Sequence, residues 1–156
     1  MALAMMISSN VTAQKVAYIE VDSIVVKMPE FTLAQQGIKA YVQQKEQLMQ
    51  VKEKQISAFQ QELQLIQDDV NEQTWNEKLA QMQRMQQEYQ AVKKQAQQDI
   101  GAREQAAMQA IYAKIGAALK QVAKDMGYAY IGDKKMFLYA QEDKNVTKAA
   151  MTLLGL

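Results

Sequence analysis

The chain contains no Cys and no His, and it has one Pro and six Gly among 156 residues. The absence of Cys and His excludes thiol catalysis, Ser-His-Asp relays, disulfide scaffolds, zinc fingers and iron–sulfur sites. A single Pro argues against an all-β sandwich, because such a fold needs many turns. The composition instead includes 25 Gln and 11 Met, and a chain rich in these residues and poor in helix breakers favours long helices.

Charge of either sign is not in excess either. The 18 basic and 17 acidic residues give a net charge of +1. Nucleic-acid binders gain most of their affinity from phosphate neutralisation, so this balance predicts no nucleic-acid partner. With 49% hydrophobic residues the chain is not a charged disordered segment, and its length suits one domain of ordinary size.

The first fourteen residues carry no charge. A short apolar run ends before Ser8, and Val11-x-Ala13 fits the small-residue pattern at which signal peptides are cleaved. The run is much too short to cross a membrane. We therefore expect residues 1–13 to be the remnant of a signal peptide and 14–156 to be one domain. The alternative is a short N-terminal tail.

A strand and a short helix are predicted next. Residues 15–21 are β-branched and aromatic with apolar side chains on both faces, which is typical of a buried strand. Asp22 or Ser23 can cap a short helix that runs to Lys27, because their oxygens accept free backbone N–H groups. The sequence Met28-Pro29-Glu30 then ends this helix and begins another.

Two long helices are predicted in the middle of the chain. From about residue 30 to residue 69 only Gly37 interrupts a helical pattern, and apolar residues recur at alternating spacings of four and three. A polar cluster at 68–74 interrupts this pattern, with Thr74 and Glu77 as a capping box for a second helix over 75–125. Each helix must bury its apolar stripe, so the two should form a long antiparallel hairpin that projects as an arm. The residues expected to pack the arm are Ile56, Phe59, Leu63, Ile66, Val70 and Leu79.

The end of the chain is predicted to return to strands. Gly127 should end the second helix, 128–131 should be a strand, 132–135 a hairpin turn and 136–139 the returning strand. A last helix over 146–154 would be capped by Asp143 or Asn145. The predicted fold class is α+β and mostly α, with a strand body of 15–29 and 127–156 and a helical arm of 30–126. Three short strands are marginal alone, so oligomerisation should complete the body. The residues expected in this oligomer body are Val16, Tyr18, Ile19, Tyr128, Tyr130, Ile131, Phe137, Leu138 and Tyr139.

No arrangement of residues points to catalysis. Only four Ser are present, and two of them lie in the first fourteen residues. Asp68, Asp69 and Glu72 are close in sequence, but a calcium loop needs more oxygen ligands and a glycine turn. We expect no enzyme activity, no cofactor and no metal.

The order of these segments resembles the Skp/OmpH family of periplasmic chaperones. The resemblance rests on the strand Val16-Ala-Tyr-Ile-Glu-Val21, on Met28-Pro29-Glu30 and on the Gln- and Lys-rich helical pair. It also rests on Gly127-Tyr-x-Tyr-Ile131 and on the closing Phe137-Leu-Tyr-Ala140 followed by Asp143-x-Asn-Val-Thr147. It extends over nearly all of the chain after residue 14.

The resemblance implies a homotrimer whose three arms surround a cavity in the periplasm. Such proteins hold unfolded outer-membrane β-barrel proteins without ATP, and contact with the membrane itself would be peripheral at most. Weak contacts from adaptable side chains would hold such clients, and Met is suited to this role. Trp75 is either a staple of the hairpin or a client contact. The residues expected to contact clients are Met49, Trp75, Met82, Met85 and Tyr89.

The sequence departs from the family in the charge of its arm tip. Family members are commonly basic, whereas residues 60–90 carry six acidic and two basic side chains, a net charge of −4. An acidic tip does not attract acidic clients or anionic lipid surfaces. Capture of clients by a positively charged tip is therefore not expected here.

Two other classes of function fit the same pattern. One is a structural or scaffolding coiled-coil protein of the cell envelope, which would bind a specific folded partner. The other is a prefoldin-like chaperone subunit, which also combines a helical hairpin with short strands. Lys45 and Lys52, which fill apolar positions of the stripe, fit a bendable arm or simply a solvated helix face.

Overall fold

The computed structural model describes residues 15–156. The predicted signal-peptide remnant, 1–13, lies outside these residues. Within them, no helix is both long enough and apolar enough to cross a membrane. The elements in chain order are β1 (Val16–Ile19), α1 (Val21–Val25), α2 (Pro29–Ile66), α3 (Glu72–Met126), β2 (Tyr130–Asp133), two 3₁₀ turns (Lys134–Met136 and Glu142–Lys144) and α4 (Thr147–Leu154).

The prediction of two long central helices is confirmed. Helix α2 has 38 residues and α3 has 55. Helix α2 begins at Pro29, where the fixed φ of proline suits a first helical position and its missing N–H leaves no intrahelical bond unmade. It ends at Ile66, three residues before the predicted end, and α3 begins at Glu72, three residues earlier than predicted.

The start of α3 differs from the predicted capping box. The Asn71 Oδ1 atom accepts a hydrogen bond of 2.9 Å from the backbone N–H of Thr74, and the Asn71 carbonyl accepts one of 3.0 Å from Trp75. Asn71 is therefore the N-cap, and the prediction that Thr74 caps the helix is wrong. Glu77, the other member of the predicted box, accepts instead from the Gln73 side chain at 3.1 Å.

The described chain forms two compact units. The strand unit contains the described residues up to Met28 together with Ala110–Leu156, and the helical unit is Pro29–Gln109. Helix α3 contributes residues to both units.

The strand unit contains a two-stranded parallel sheet. Strand β1 pairs with β2 in the register Val16 to Tyr130 through Ile19 to Asp133. On its other side β1 makes a single bridge from Tyr18 to Asn145, where the Tyr18 carbonyl accepts from the Val146 N–H at 2.9 Å. Residues from the two ends of the chain thus form one small sheet.

The predicted hairpin over 132–139 is wrong. After β2 the Asp133 side chain accepts from the Lys135 N–H at 3.0 Å, and the chain turns into the 3₁₀ segment Lys134–Met136. No strand follows over 136–139. The physical reason is that β2 finds its partner in β1, a strand more than 100 residues earlier, and not in the segment that follows it.

The ends of the short helices are also set by contacts between distant segments. Helix α1 starts at Val21 after Glu20, so the prediction that Asp22 or Ser23 caps it is wrong. Before α4 the Asn145 Oδ1 accepts from the Thr147 N–H at 2.9 Å, but the N-cap of α4 is Val146, so the prediction that Asp143 or Asn145 caps this helix is wrong. The buried Thr147 hydroxyl then accepts from the Glu20 N–H at 2.9 Å and joins the end of β1 to α4.

The core of the strand unit is apolar and draws on every helix of that unit. Helix α3 supplies Ile111, Ile115 and Val122 at helical spacings of four and seven, so all three lie on one face. Gly127 ends α3 with a φ of +69°, which a residue with a Cβ rarely adopts, and the predicted cap is confirmed. The buried residues of this unit are Ala17, Tyr18, Ile19, Ile24, Val25, Met28, Ile111, Ile115, Val122, Val146, Thr147 and Ala150.

Candidate functional site

The helical unit contains an apolar cluster between α2 and α3, which is called the distal cluster here. Phe59 and Leu63 of α2 and Met82 of α3 are its buried members. Each full burial of such a side chain stabilises the pairing by about 1.5–3 kcal/mol. Four half-buried residues pack against these three: Ile56, Ile66, Trp75 and Met85.

Polar groups cover one edge of the distal cluster. The Lys78 ammonium lies 5.2 Å from the centre of the Phe59 ring and forms an ion pair with Glu62. The ring face attracts the cation, and the carboxylate fixes it there. This arrangement joins α2 to α3 with two helix-spanning contacts from a single lysine.

Farther along the helices polar contacts also join α2 to α3. Lys52 forms an ion pair with Glu88 at 3.2 Å, and Glu53 accepts a hydrogen bond from the Tyr89 hydroxyl. The hydrogen bond to Glu53 raises the pKa of Tyr89. Lys52, at an apolar position of the stripe, therefore has an acidic partner on the other helix.

A second polar group is centred on Tyr41 and is called the Tyr41 node: Tyr41, Lys45, Gln95, Asp99 and Arg103. The Tyr41 hydroxyl donates to Asp99 Oδ2 at 2.5 Å, and Gln95 Nε2 donates to Asp99 Oδ1 at 2.8 Å. Lys45 and Arg103 lie 5.1 and 4.4 Å from the Tyr41 ring centre. Both cations therefore lie close to an aromatic ring whose hydroxyl is hydrogen-bonded to an acidic residue of the other helix.

The hydrogen bonds of the node shift two titrations. The bond from Tyr41 lowers the pKa of Asp99, and the bond from Gln95 acts in the same direction. The same bond to Asp99 raises the pKa of Tyr41. The node is therefore most stable with Asp99 ionised and Tyr41 protonated, which is the state at neutral pH.

The contacts between the two helices follow opposite orders along the chain. Tyr41 contacts Asp99, Lys52 contacts Glu88, and Glu62 contacts Lys78. As the residue number rises along α2, that of its partner on α3 falls.

Beyond the Tyr41 node the same pair of helices borders an open apolar groove of about 600 Å³. Its apolar lining comes from Phe31, Ala34 and Ile38 of α2 and from Ala107 and Met108 of α3. Gln35, Lys39 and Glu104 complete the lining.

The residues expected to contact clients lie at or near the contact between α2 and α3. Met82 is buried in the distal cluster, and Trp75 and Met85 pack against it. Tyr89 is half-buried and bonded to Glu53, and Met49 is also half-buried. The structure brings Trp75, Met82 and Met85 together, whereas Met49 and Tyr89 lie outside the cluster.

The residues expected to pack the arm divide in a similar way. Ile56, Phe59, Leu63 and Ile66 belong to the distal cluster, and Val70 is half-buried outside it. Leu79 is 38% exposed. Met82, three residues later on α3, takes the buried position next to Phe59 and Leu63.

In the strand unit the residues expected in the oligomer body are partly core and partly surface. Tyr18 and Ile19 are buried, and the half-buried Phe137 ring lies 6.5 Å from that of Tyr18. Tyr128 and Ile131 are half-buried. The remaining four are exposed in the single chain: Val16, Tyr130, Leu138 and Tyr139.

Two ion pairs join the end of β1 and α1 to the segment after β2. Lys134 bonds to Glu20 at 2.6 Å, and Lys135 bonds to Asp22 at 2.5 Å. The hydrogen bond from Lys134 lowers the pKa of Glu20, and the reciprocal contact raises the pKa of Lys134. Exposed pairs of this kind add little stability, so the backbone bonds of the sheet carry more weight.

A profile of the family described as outer membrane protein (OmpH-like) matches residues 15–154. The chain belongs to the OmpH-like family. No curated protein matches it significantly. Among solved structures it is similar to an OmpH-like protein of Caulobacter crescentus CB15, described as a candidate outer membrane chaperone, with a TM-score of 0.78 and 15% identity. The match covers 91% of this chain and 84% of the other and shows a shared fold.

The Tyr41 node is the feature of this OmpH-like chain that sequence reasoning missed. Tyr41 and Asp99 are 58 residues apart, and no local pattern joins them. One signal was available, because Lys45 follows Tyr41 by one helical turn, a spacing that lets a cation reach the ring. The acidic and basic partners on α3 required knowledge of how the two helices align.

Potential metal ligands do not gather in the part of this OmpH-like chain that the structure describes. Within residues 15–156, no group of three or more acidic side chains is placed to hold a metal ion.

Proposed function

We propose that this OmpH-like protein is an ATP-independent holdase chaperone that binds unfolded outer-membrane β-barrel proteins in the periplasm and prevents their aggregation. The observation that carries the proposal is the family match over residues 15–154. The similarity in fold to a candidate outer membrane chaperone also supports a chaperone role. The protein acts by binding and not by catalysis, so it needs no cofactor.

In this proposal the helical unit is an antiparallel hairpin arm. The opposite order of the contacts between α2 and α3, from Tyr41–Asp99 to Glu62–Lys78, supports it. A hairpin offers a client two long helix surfaces and keeps its own apolar stripe covered by the distal cluster. Such a surface binds through many weak contacts, and weak contacts allow release without ATP.

The assembly we propose is a homotrimer formed through the strand unit. Val16, Tyr130, Leu138 and Tyr139 are exposed in the single chain, and exposed apolar side chains in a small unit favour self-association. Three chains would then place three arms around one cavity. Contact with the membrane is peripheral at most, and nucleic acid is not a partner.

The apolar client contacts belong at the edges of the seam between the helices. We assign them to Met49, Trp75, Met82, Met85 and Tyr89. Trp75 and Met85 are only half-buried against the distal cluster, so they present part of their surface outward while they also pack. Met82 is buried and would reach a client only through movement of its neighbours.

The experiment that tests this function measures the aggregation of a urea-denatured outer-membrane β-barrel protein diluted into buffer with residues 15–156. We expect the chain to delay aggregation without ATP. A variant in which a short Gly/Ser linker replaces residues 56–90 lacks the distal cluster, so it should keep its oligomeric state and lose the delay. An equal delay from this variant would show that the arm does not hold the client.

This experiment also distinguishes the proposed function from the two alternatives, a scaffolding coiled coil and a prefoldin-like chaperone subunit. A scaffold binds a specific folded partner and leaves the aggregation of an unfolded barrel unchanged. A prefoldin-like subunit would also act on unfolded cytosolic proteins, so cell fractionation of the full-length protein separates it from a periplasmic chaperone.

A further inference from the structure

Glutamine is the commonest residue on the surface of the helical unit. All 24 glutamines among residues 15–156 are exposed, and 22 of them lie in the helical unit. Of these 22 side chains only those of Gln73 and Gln95 hydrogen-bond to another described residue. The other 20 primary amides are exposed and make no hydrogen bond to another described residue.

Four of these amides lie together on α3. Gln83, Gln86, Gln87 and Gln90 alone line a shallow surface depression of about 450 Å³. Their spacings of three, four and seven residues place them on one face of the helix. This face is called the amide face here, and its four residues carry no charge.

We propose that the amide face binds the peptide backbone of extended client segments, which rests on the holdase function proposed above. A primary amide has the same donor and acceptor groups as a peptide bond. An unfolded barrel protein exposes unpaired N–H and C=O groups along every future strand, and these groups need partners. The partner is therefore the neutral backbone of an extended chain and not a particular set of side chains.

The surroundings of the amide face favour a neutral backbone as partner over acidic segments and over apolar side chains. Residues 60–90 have a net charge of −4, so the tip does not attract acidic segments. Large apolar side chains of the helical unit offer few contacts, because most of them are buried or half-buried. In the helical unit only five are exposed, and of these only Leu48 and Val51 lie one helical turn apart: Leu33, Leu48, Val51, Leu65 and Leu79.

The spacing of the amides also explains why binding would not depend on sequence. Residues three or four positions apart on a helix rise by about 5 Å, whereas alternate residues of a strand are about 6.7 Å apart. The two repeats do not match, so no fixed ladder forms. Long flexible Gln side chains can still reach a backbone group in any register.

The test uses a neutral, fluorescently labelled peptide of alternating Val and Ser, about ten residues long as in a barrel strand. A second peptide carries esters in place of alternate amides, which removes N–H donors and keeps the side chains. Fluorescence anisotropy measures the binding of each to residues 15–156. We expect the amide peptide to bind about fivefold more tightly than the ester peptide, as the net loss of about one hydrogen bond predicts.

Two variants test the surface itself. The variant Gln83→Ala/Gln86→Ala/Gln87→Ala/Gln90→Ala should lose the preference for the amide peptide, and it should stay helical because Ala is the strongest helix former. The matched control, Gln36→Ala/Gln61→Ala/Gln105→Ala/Gln109→Ala, removes four exposed and unbonded glutamines elsewhere and should keep the preference. Circular dichroism checks the helix content of both.

Each result decides the proposal. Equal binding of the two peptides to the unaltered chain overturns the proposal. Unchanged or tighter binding of the amide peptide by the amide-face variant also overturns it, because contact through apolar groups alone would give that result. If the chain delays barrel aggregation and yet fails this test, only the amide face is wrong. If it does not delay aggregation at all, the proposed function fails, and the assignment of a client backbone fails with it.

Discussion

Two apolar side chains six residues apart on α2 have opposite surroundings. Phe59 is 8% exposed and packs with Leu63 and Met82, whereas Leu65 is 80% exposed. Both are large and hydrophobic, so residue type alone does not distinguish them. Their position on the helix does, because only the face that carries Phe59 meets α3.

The first prediction tests whether Phe59 stabilises the contact between α2 and α3 and Leu65 does not. Phe59→Ala removes the largest buried side chain of the distal cluster and leaves a cavity, so local opening of the helical unit should become easier by about 3 kcal/mol. Amide hydrogen exchange near residues 56–66 and 75–85 should then accelerate by about 100-fold. Leu65→Ala serves as the control and should change exchange little. Equal exchange rates in the Phe59→Ala chain and the unaltered chain would contradict the assignment of the cluster.

The second prediction concerns the titration of the Tyr41 node. Because Asp99 accepts from the Tyr41 hydroxyl, the folded pKa of Tyr41 is raised and that of Asp99 is lowered. The stability that the raised pKa of Tyr41 contributes is fully present below the unfolded Tyr pKa of about 10, and it is lost as the pH rises through the folded value. The stability that the lowered pKa of Asp99 contributes is present above the unfolded Asp pKa of about 3.9, and it is lost as the pH falls through the folded value.

Phenolate absorbance tests this assignment directly. Subtracting the titration of Tyr41→Phe from that of the unaltered chain isolates Tyr41 from the other tyrosines. Asp99→Asn removes the acidic acceptor, so Tyr41 should titrate at a lower pH in this variant than in the unaltered chain. An unchanged Tyr41 titration in Asp99→Asn would show that the two groups do not interact in solution.

At the scale of the helix, the N-terminus of α3 depends on one side chain. Asn71 supplies both the capping oxygen and the first carbonyl of the helix, and Thr74 uses its backbone N–H in that bond. Asn71→Ala should therefore destabilise the start of α3 by about 1 kcal/mol. Thr74→Ala keeps the backbone donor and should have a much smaller effect. Hydrogen exchange of residues 72–76 measures both, and the reverse order of effects would support the predicted capping box instead.

The long helices were predictable because their signals are local and repeated. No residue from 38 to 66 interrupts the helix, and apolar residues such as Ile56, Phe59 and Leu63 recur at spacings that place them on one face. The distal cluster contains four of the six residues predicted to pack the arm. Leu79 differs because Met82 fills the neighbouring buried position.

The strand pairing was not predictable by the same reasoning. Gly132 and Asp133 resemble a hairpin turn in isolation, but β2 pairs with β1 in parallel, and the two come from opposite ends of the chain. Close packing explains the glycine better, since a Cβ at Gly132 would lie 3.0 Å from the Phe137 ring. A contact between residues more than 100 positions apart leaves no periodic signal in the sequence.

At the scale of the whole molecule, the strand unit exposes apolar side chains that its own core does not use. In the segment after β2, Leu138 is fully exposed and Tyr139 is 81% exposed. The helical unit exposes five large apolar residues, of which only Leu48 and Val51 lie one helical turn apart. If the protein assembles as proposed, the strand unit is the part with the stronger reason to be covered by another copy.

This difference gives the last prediction. Leu138→Asp/Tyr139→Asp places charges at positions that are exposed in one chain, so each chain should fold normally. Charges in an interface lose their hydration and oppose association, and native mass spectrometry should therefore find a smaller assembly than the trimer expected of the unaltered chain. Leu65→Asp changes an equally exposed residue of the helical unit and should leave the assembly unchanged. If the double variant remained a trimer, the 138–139 segment would lie outside the interface, and if Leu65→Asp alone dissociated it, the helices and not the strands would hold the subunits together.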